Sequence, residues 1–283
     1  MMKKLFWLGL LSVVFHMNAQ DRYGGLALYT VREDMGKNPI ETLKKIADIG
    51  YVNLEAAGYD QGKYYGMSPK AFQKELQKLG LSPLSTHQSS ITPENADEQF
   101  AAAKAAGFTY FVVPIPPMGM FTINRETMVM GMDGSVEDLA NILNDLGKKA
   151  STYNLQLLYH NHDFEFRPNE EGVIPIEYLL KNVNPAYVNF EMDLFWVVKA
   201  GANPLDYFER YPGRFKLWHV KDMGDEDLFA PVGEGSIDFK SILVGKDRAG
   251  MKAYFVEQDM TFDLTPIEAI SISHKALKEI GFD

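Results

Sequence analysis

Eight short apolar runs alternate with amphipathic stretches along this chain, an order that few folds accommodate. The runs fall at 25–31, 51–54, 81–86, 109–113, 155–159, 187–190, 215–218 and 253–256. Their length and apolar content read as buried strands. The stretches at 39–49, 68–79, 93–106, 135–153, 175–181, 204–211, 238–244 and 265–280 read as helices. Asn38 before Pro39 and Ser68 before Pro69 have the cap-then-proline order of helix starts, and Gly80 and Gly107 mark helix ends. Such alternation within one domain specifies an α/β fold, a single (β/α)8 TIM barrel. A doubly wound open sheet is the main competitor. It is disfavoured because Gly24-Gly25 stand at the start of the first run and no glycine-rich phosphate fingerprint follows it. The connection 114–134 is long and rich in methionine, suited to a lid, a subunit contact in a homodimer, or an irregular packed loop.

The barrel is expected over 21–283. Residues 1–20 read as a signal peptide: Lys3 and Lys4, an apolar core over 5–15, then Asn18-Ala19-Gln20 as a cleavage zone. That core is shorter than the roughly 20 residues of a membrane span. Export is therefore expected, to the periplasm, with no membrane association after cleavage. Of the 28 basic residues two are leader lysines, which leaves 26 against 38 acidic ones, a net −12. A surface so acidic argues against a nucleic-acid partner. With no cysteine in the chain, a metal here would have only oxygen and imidazole ligands, which suits Mn, Mg, Co or Zn.

The ends of the runs carry the chemistry. Four of the six histidines (His87, His160, His162 and His219) stand where a candidate strand closes. Taken in order, the strand ends are Arg32, Glu55, His87, Pro114, His160 with His162, Asp193, His219 and Glu257. In a parallel barrel these ends converge on one face, where active sites form. Bringing so many ionisable groups together is costly unless they pair or bind a cation. Arg32, Glu55 and His87 are read as substrate contacts, the last two equally as hydrogen-bonded scaffold. Lys221 and Asp222 read as neighbours of the site or as a surface pair. Gly233-Glu234-Gly235 reads as a turn whose Glu234 faces either the substrate or solvent. Trp196 and Trp218 are candidates for an apolar wall or for the core.

Four segments carry a family resemblance: Tyr159-His160-Asn161-His162-Asp163-Phe164-Glu165-Phe166, Phe190-Glu191-Met192-Asp193, Leu217-Trp218-His219-Val220-Lys221-Asp222 and 232–239. Together they resemble the xylose-isomerase-like superfamily of sugar phosphate isomerases and epimerases, with its inosose-dehydratase and endonuclease-IV-like branches. The resemblance covers essentially the whole chain after the leader. It implies one divalent metal held by Glu, Asp, His and Glu at the ends of strands five to eight. Asp193, His219 and Glu257 match the last three. The first position holds His160 instead of a glutamate, so Glu165 is expected to fold back as the first ligand, with His160 or His162 as substitutes.

The same resemblance implies chemistry on a sugar or keto-sugar. Its oxygens chelate the metal, and Glu257, His160, His162 and Lys221 are the candidate acid/base groups. Proton return gives an isomerase or epimerase, the first expectation. Expulsion of a β-substituent gives a lyase, hydratase or dehydratase acting on 3-keto-glycosides or inosose-like substrates. A barrel that only binds carbohydrate is the third reading, and it predicts bound sugar without exchange of C–H protons. Endonuclease activity is disfavoured by the acidic surface and the small number of histidines.

Overall fold

A computed structural model describes residues 22–282, so the leader expected at 1–20 lies outside the described residues. Eight parallel strands form the wall: β1 (Gly25–Ala27), β2 (Asn53–Ala56), β3 (Ser82–His87), β4 (Tyr110–Val113), β5 (Gln156–His160), β6 (Val188–Asp193), β7 (Phe215–Val220) and β8 (Ala253–Val256). They close in the order 1-8-7-6-5-4-3-2, with each strand beside its sequence neighbours and β1 sealed to β8 through Leu26 and Val256. The main outer helices are α1 (Pro39–Ile49), α2 (Pro69–Lys78), α3 (Ala96–Ala106), α4 (Val136–Thr152), α5 (Pro175–Asn182), α6 (Pro204–Arg210), α7 (Phe239–Leu243) and α8 (Pro266–Ile280). The expected (β/α)8 barrel is therefore the observed one. No helix among the described residues is long and apolar enough to cross a membrane.

Local sequence fixes the helix starts. The Asn38 side chain accepts from the Glu41 N–H ahead of α1, Ser68 from Ala71 ahead of α2, and Ser135 from Asp138 ahead of α4. Thr265 and Glu268 form a reciprocal capping box at α8. Each such cap is worth about 1 kcal/mol.

Strand side chains alternate between the two faces of the wall. The outward set, with Tyr159, Phe190, Met192 and Trp218, packs on the helices in the main core. The inward set starts as a small apolar plug that includes Val112, Leu158, Leu217 and Phe255. One step further along each strand, the same face turns polar. Leu158 is followed by His160, Leu217 by His219 and then Lys221, and Phe255 by Glu257. The wall is irregular at two points, where the register shifts between Leu54 and Glu55 and between Phe190 and Glu191. Shifts of this kind re-aim the side chains that follow them, and both are followed by a buried glutamate.

Two expectations are corrected. The first strand stops at Ala27 rather than reaching residue 31, because the N–H groups of Thr30, Val31 and Arg32 bond back to the carbonyls of Ala27, Leu28 and Tyr29. Arg32 therefore opens a short helix (Arg32–Lys37) instead of closing a strand. The connection 114–134 contains an antiparallel hairpin, Phe121–Ile123 with Met130–Met132. Similar two-stranded ribbons follow β2 (Tyr59–Asp60 with Lys63–Tyr64) and β7 (Asp222–Met223 with Phe229–Ala230). Exposed large apolar side chains gather on these segments and after β8, among them Met128, Val129, Leu228, Met260 and Phe262.

Candidate metal centre

His219, fully buried at the top of β7, divides the polar mouth of the barrel into two groups. On one side its Nδ1 lies 3.0 Å from Glu257 Oε2 and 3.8 Å from Asp193 Oδ2. On the other its Nε2 lies 2.7 Å from Glu55 Oε1 and 3.3 Å from Glu191 Oε2. Glu191 Oε2 also meets His87 Nε2 at 2.6 Å and His160 Nδ1 at 3.1 Å. Asp193, His219 and Glu257 form one set of convergent donor atoms, and His87, His160, Glu191 and His219 form a second.

The carboxylates are held from behind. Asp193 caps the helix Leu194–Lys199, its Oδ1 accepting from the N–H groups of Phe195 and Trp196, which leaves Oδ2 for the centre. Glu55 Oε2 accepts from Ser85 Oγ at 2.6 Å, which leaves Oε1 for His219 and His87. With its Nε2–H donated to Glu55, a neutral His219 presents the Nδ1 lone pair to the Asp193–Glu257 side. A carboxylate behind an imidazole commonly fixes a metal-binding tautomer in this way. Lys221, also fully buried, stands 2.9 Å from Asp193 Oδ2, 2.8 Å from Glu257 Oε2 and 3.0 Å from Asp259 Oδ2.

Charge is unbalanced here. Five carboxylates (Glu55, Glu191, Asp193, Glu257, Asp259) face one ammonium and the imidazoles of His87, His160 and His219. Burial pushes Glu191 up to about 7, with Glu55 adding to the rise, and pushes Asp259 up to about 6 against the pull of Lys221. Burial also raises Asp193, although Lys221 opposes it. At Glu257 burial is outweighed by Lys221 and His219, which hold the carboxyl well below its ordinary value. At His219 burial is outweighed by Glu191, Glu257 and Glu55, which raise it well above the usual imidazole range. Burial keeps His160 well below that range and takes His162 down to about 3, Lys221 contributing to the latter.

These features fit a divalent cation. Glu191 Oε1 is buried with no hydrogen-bond partner, the negative charge is in excess, and every donor is a carboxylate oxygen or an imidazole nitrogen. Asp193, His219 and Glu257, three of the ligands expected from the sequence, would hold it on one side of His219, and His87, His160, Glu191 and His219 on the other.

The predicted site residues separate accordingly. Glu55, His87, His160, Asp193, His219, Lys221 and Glu257 come together. His162 stands beside them, its ring 5.2 Å from that of His160 and 5.4 Å from that of Trp196, with Nδ1 buried and unpartnered. Glu165 does not join the ligands as expected. Its carboxylate accepts from Tyr159 Oη at 2.7 Å and from the His162 N–H at 2.8 Å. Because Tyr159 faces the helices, this bond draws Glu165 behind the wall, where burial pushes it up to about 8. Arg32 is exposed, stacked over the Tyr29 ring at 4.4 Å and bonded to the Tyr29 carbonyl. Glu234 is exposed on its turn and is not among the groups in contact at the centre. Both tryptophans belong to the main core; Trp218 stacks 5.0 Å from Phe208, and Trp196 also lies 5.4 Å from the His162 ring beside the centre. Strand ends alone do not single out Glu191 or Asp259. Period-two alternation does, since they stand two residues before Asp193 and two after Glu257.

A closed parallel barrel with carboxylate and imidazole donors at its strand ends is an enzyme scaffold of the kind whose active site lies on that face. The chain belongs to the xylose isomerase-like TIM barrel family, whose model matches residues 43–256. It is 29% identical over 148 residues to the inosose dehydratase of Lacticaseibacillus casei, a match covering 45% of this chain and 49% of that enzyme. The chain thus spans about half the length of that relative. With the inosose dehydratase of Salmonella typhimurium it shares 24% identity over 261 residues, 79% of this chain and 84% of the relative. Among solved structures, a sugar phosphate isomerase/epimerase from Parabacteroides distasonis superposes with a TM-score of 0.75 at 24% identity, covering 94% of this chain and 96% of that one. The IolI protein, solved with a bound zinc atom, superposes at 0.67 and 18% identity over 91% of this chain and 97% of its own. At such identities the structures attest the fold alone.

Proposed function

We propose that this protein is a divalent-metal-dependent lyase of keto-sugars, acting on 3-keto-glycosides or inosose-like polyols. A cation at Asp193, His219 and Glu257, one of Mn, Mg, Co or Zn, would polarise the substrate ketone and acidify the neighbouring C–H. The chain's own residues then divide the proton work. His162, with a buried and unpartnered Nδ1 beside the centre, takes the α-proton, leaving the electron pair in an enolate; burial makes it a weak base, so the step depends on the acidified C–H. Lys221, a buried ammonium bonded to Asp259, gives a proton to the β-oxygen as the bond from that oxygen to carbon breaks. The products are an unsaturated ketone and water or an alcohol, with no oxidant or reductant consumed. Trp196 walls the substrate on the His162 side.

The observation that carries this reading is the pairing of a buried ammonium with an uncharged imidazole at one mouth. Elimination needs an acid at the leaving oxygen as well as a base at the α-carbon, whereas isomerisation and epimerisation return the abstracted proton to carbon and expel no group. The inosose dehydratase relatives support the same outcome. Isomerisation or epimerisation, the first expectation from the sequence, is the second reading and is favoured by Glu257, a strand-end carboxylate that would hold the cation and also face the substrate carbon. We further propose that residues 1–20 direct export, so that the enzyme would act on extracytoplasmic sugars.

The test is proton NMR of an inosose and a 3-keto-glucoside in D2O with Mn-loaded protein. Release of water or alcohol with a new vinylic carbon supports the lyase. Deuterium entry with an intact carbon–oxygen skeleton would replace it with the isomerase. Tight sugar binding with neither change would leave a carbohydrate-binding barrel.

A further inference from the structure

The cation and the Lys221 ammonium claim the same two oxygens. Lys221 Nζ lies 2.9 Å from Asp193 Oδ2 and 2.8 Å from Glu257 Oε2, the atoms of those residues that also face His219 Nδ1. An ammonium and a divalent ion cannot both sit in hydrogen-bond or coordination range of the same oxygen pair without strong repulsion. Lys221 has somewhere else to go. Asp259 receives its Nζ at 3.2 and 3.0 Å through both carboxylate oxygens, and the rings of Trp196 and Phe229 flank it at 5.6 Å each. The far side of the ammonium is therefore a built seat, with an anion and two aromatic faces. The Asp259 side chain keeps about a quarter of its surface exposed (23%), so this seat opens toward the mouth where substrate enters.

We propose that Lys221 and the cation exchange on Asp193 and Glu257, with Asp259 as the positioning residue that receives Lys221 when the ion enters. In the ion-free protein Lys221 neutralises the two ligands and keeps the centre assembled. Entry of the ion displaces the ammonium from Asp193 and Glu257 while its bonds to both oxygens of Asp259 remain, which frees the N–H that had faced those two ligands. That N–H then faces the substrate, so loading the centre and arming the acid are one event. This inference rests on Asp193, His219 and Glu257 being the cation's ligands.

Two opposite substitutions and their combination test it. Chelator-stripped mature protein is titrated with Mn2+ by calorimetry as wild type, Lys221→Met, Asp259→Asn and the double variant. Lys221→Met removes the competitor and should tighten Mn2+ by roughly tenfold or more. Asp259→Asn removes the seat and should weaken it by roughly 10- to 100-fold, the usual scale for a group behind the ligands. The double variant should bind like Lys221→Met, because Asp259 acts only through the lysine. A double variant as weak as Asp259→Asn would mean that Asp259 acts on the ion directly, and the exchange is then wrong. Unchanged affinity in both single variants also overturns it while leaving the centre intact. A folded wild type that takes up no Mn2+ overturns the centre itself and the exchange with it. Should Lys221→Met be unstable without the ion, thermal melts decide the matter. Mn2+ must then raise its midpoint more than that of wild type, and an equal or smaller rise counts against the exchange.

Discussion

Asp222, buried just beyond β7, gathers four backbone N–H groups onto one carboxylate. Oδ1 accepts from Met223 at 2.8 Å and Ile237 at 3.1 Å, and Oδ2 from Gly233 at 2.9 Å and Gly235 at 3.1 Å. The knot closes the segment 222–237, and its tightness explains Gly235, where a Cβ would stand 2.6 Å from the Met223 carbonyl oxygen. In Asp222→Asn one oxygen survives and can keep the buried pair from Met223 and Ile237. The new NH2 opposes the other two donors, which belong to exposed residues and can turn to water. A hydrogen bond to a charged group is worth about 1.5–3 kcal/mol, so two such losses with partial rescue by water predict about 2–3 kcal/mol. Asp222→Ala strands all four donors and should cost about 4 kcal/mol or more, capped by the free energy of opening the segment alone. Urea midpoints measure the global term, and hydrogen exchange at the amides of 233, 235 and 237 measures the local one. The reasoning fails if Asp222→Asn matches wild type in both, or if Asp222→Ala leaves those amides protected.

Other outcomes follow from the same geometry. His219→Ala and Glu257→Ala should each abolish a bound-metal content of about one divalent ion per chain, measured by elemental analysis. Retention of the ion in either variant would move the centre elsewhere. Glu55→Gln should weaken metal binding roughly 10- to 100-fold by releasing the His219 tautomer, read by Mn2+ calorimetry; unchanged affinity would reduce Glu55 to scaffold. Glu165, pushed up to about 8 from an ordinary 4.5, makes stability depend on pH. Folding favours its protonated form, so its contribution is full below about 4.5, falls as pH rises toward about 8, and is flat beyond. Glu165→Gln should remove that fall, and urea midpoints at both ends of the window that drop equally in variant and wild type would refute it.

The wall was legible because each strand announces itself twice, by its apolar run and by the polar residue that closes it. Cap pairs such as Asn38-Pro39 and Ser68-Pro69 are local, and local chemistry survives folding unchanged. Arg32 misleads because the apolar residues Leu28 and Val31 extend the run of β1 although they line a turn. Composition does not distinguish a buried turn from a strand. The fate of Glu165 depends on which face Tyr159 takes, a question of register that spacing from the strand end does not answer. Glu191 was legible in principle, as Asn189, Glu191 and Asp193 share one face of β6. The three ribbons at the mouth are the least legible part. Their strands are two or three residues long and owe their pairing to the barrel beneath them.

The separation between strand ends and ribbons bears on how such a protein diversifies. The groups that handle charge stand almost entirely on the rigid wall or within two residues of it. Several of the exposed apolar side chains, by contrast, sit on the ribbon after β4, the ribbon after β7 and the segment after β8. Substitutions at positions such as Met128, Val129, Leu228 or Phe262 leave the strands and their hydrogen bonds untouched. Point changes at the rim can therefore alter what the mouth admits while the buried carboxylates, imidazoles and Lys221 on the wall stay unaltered.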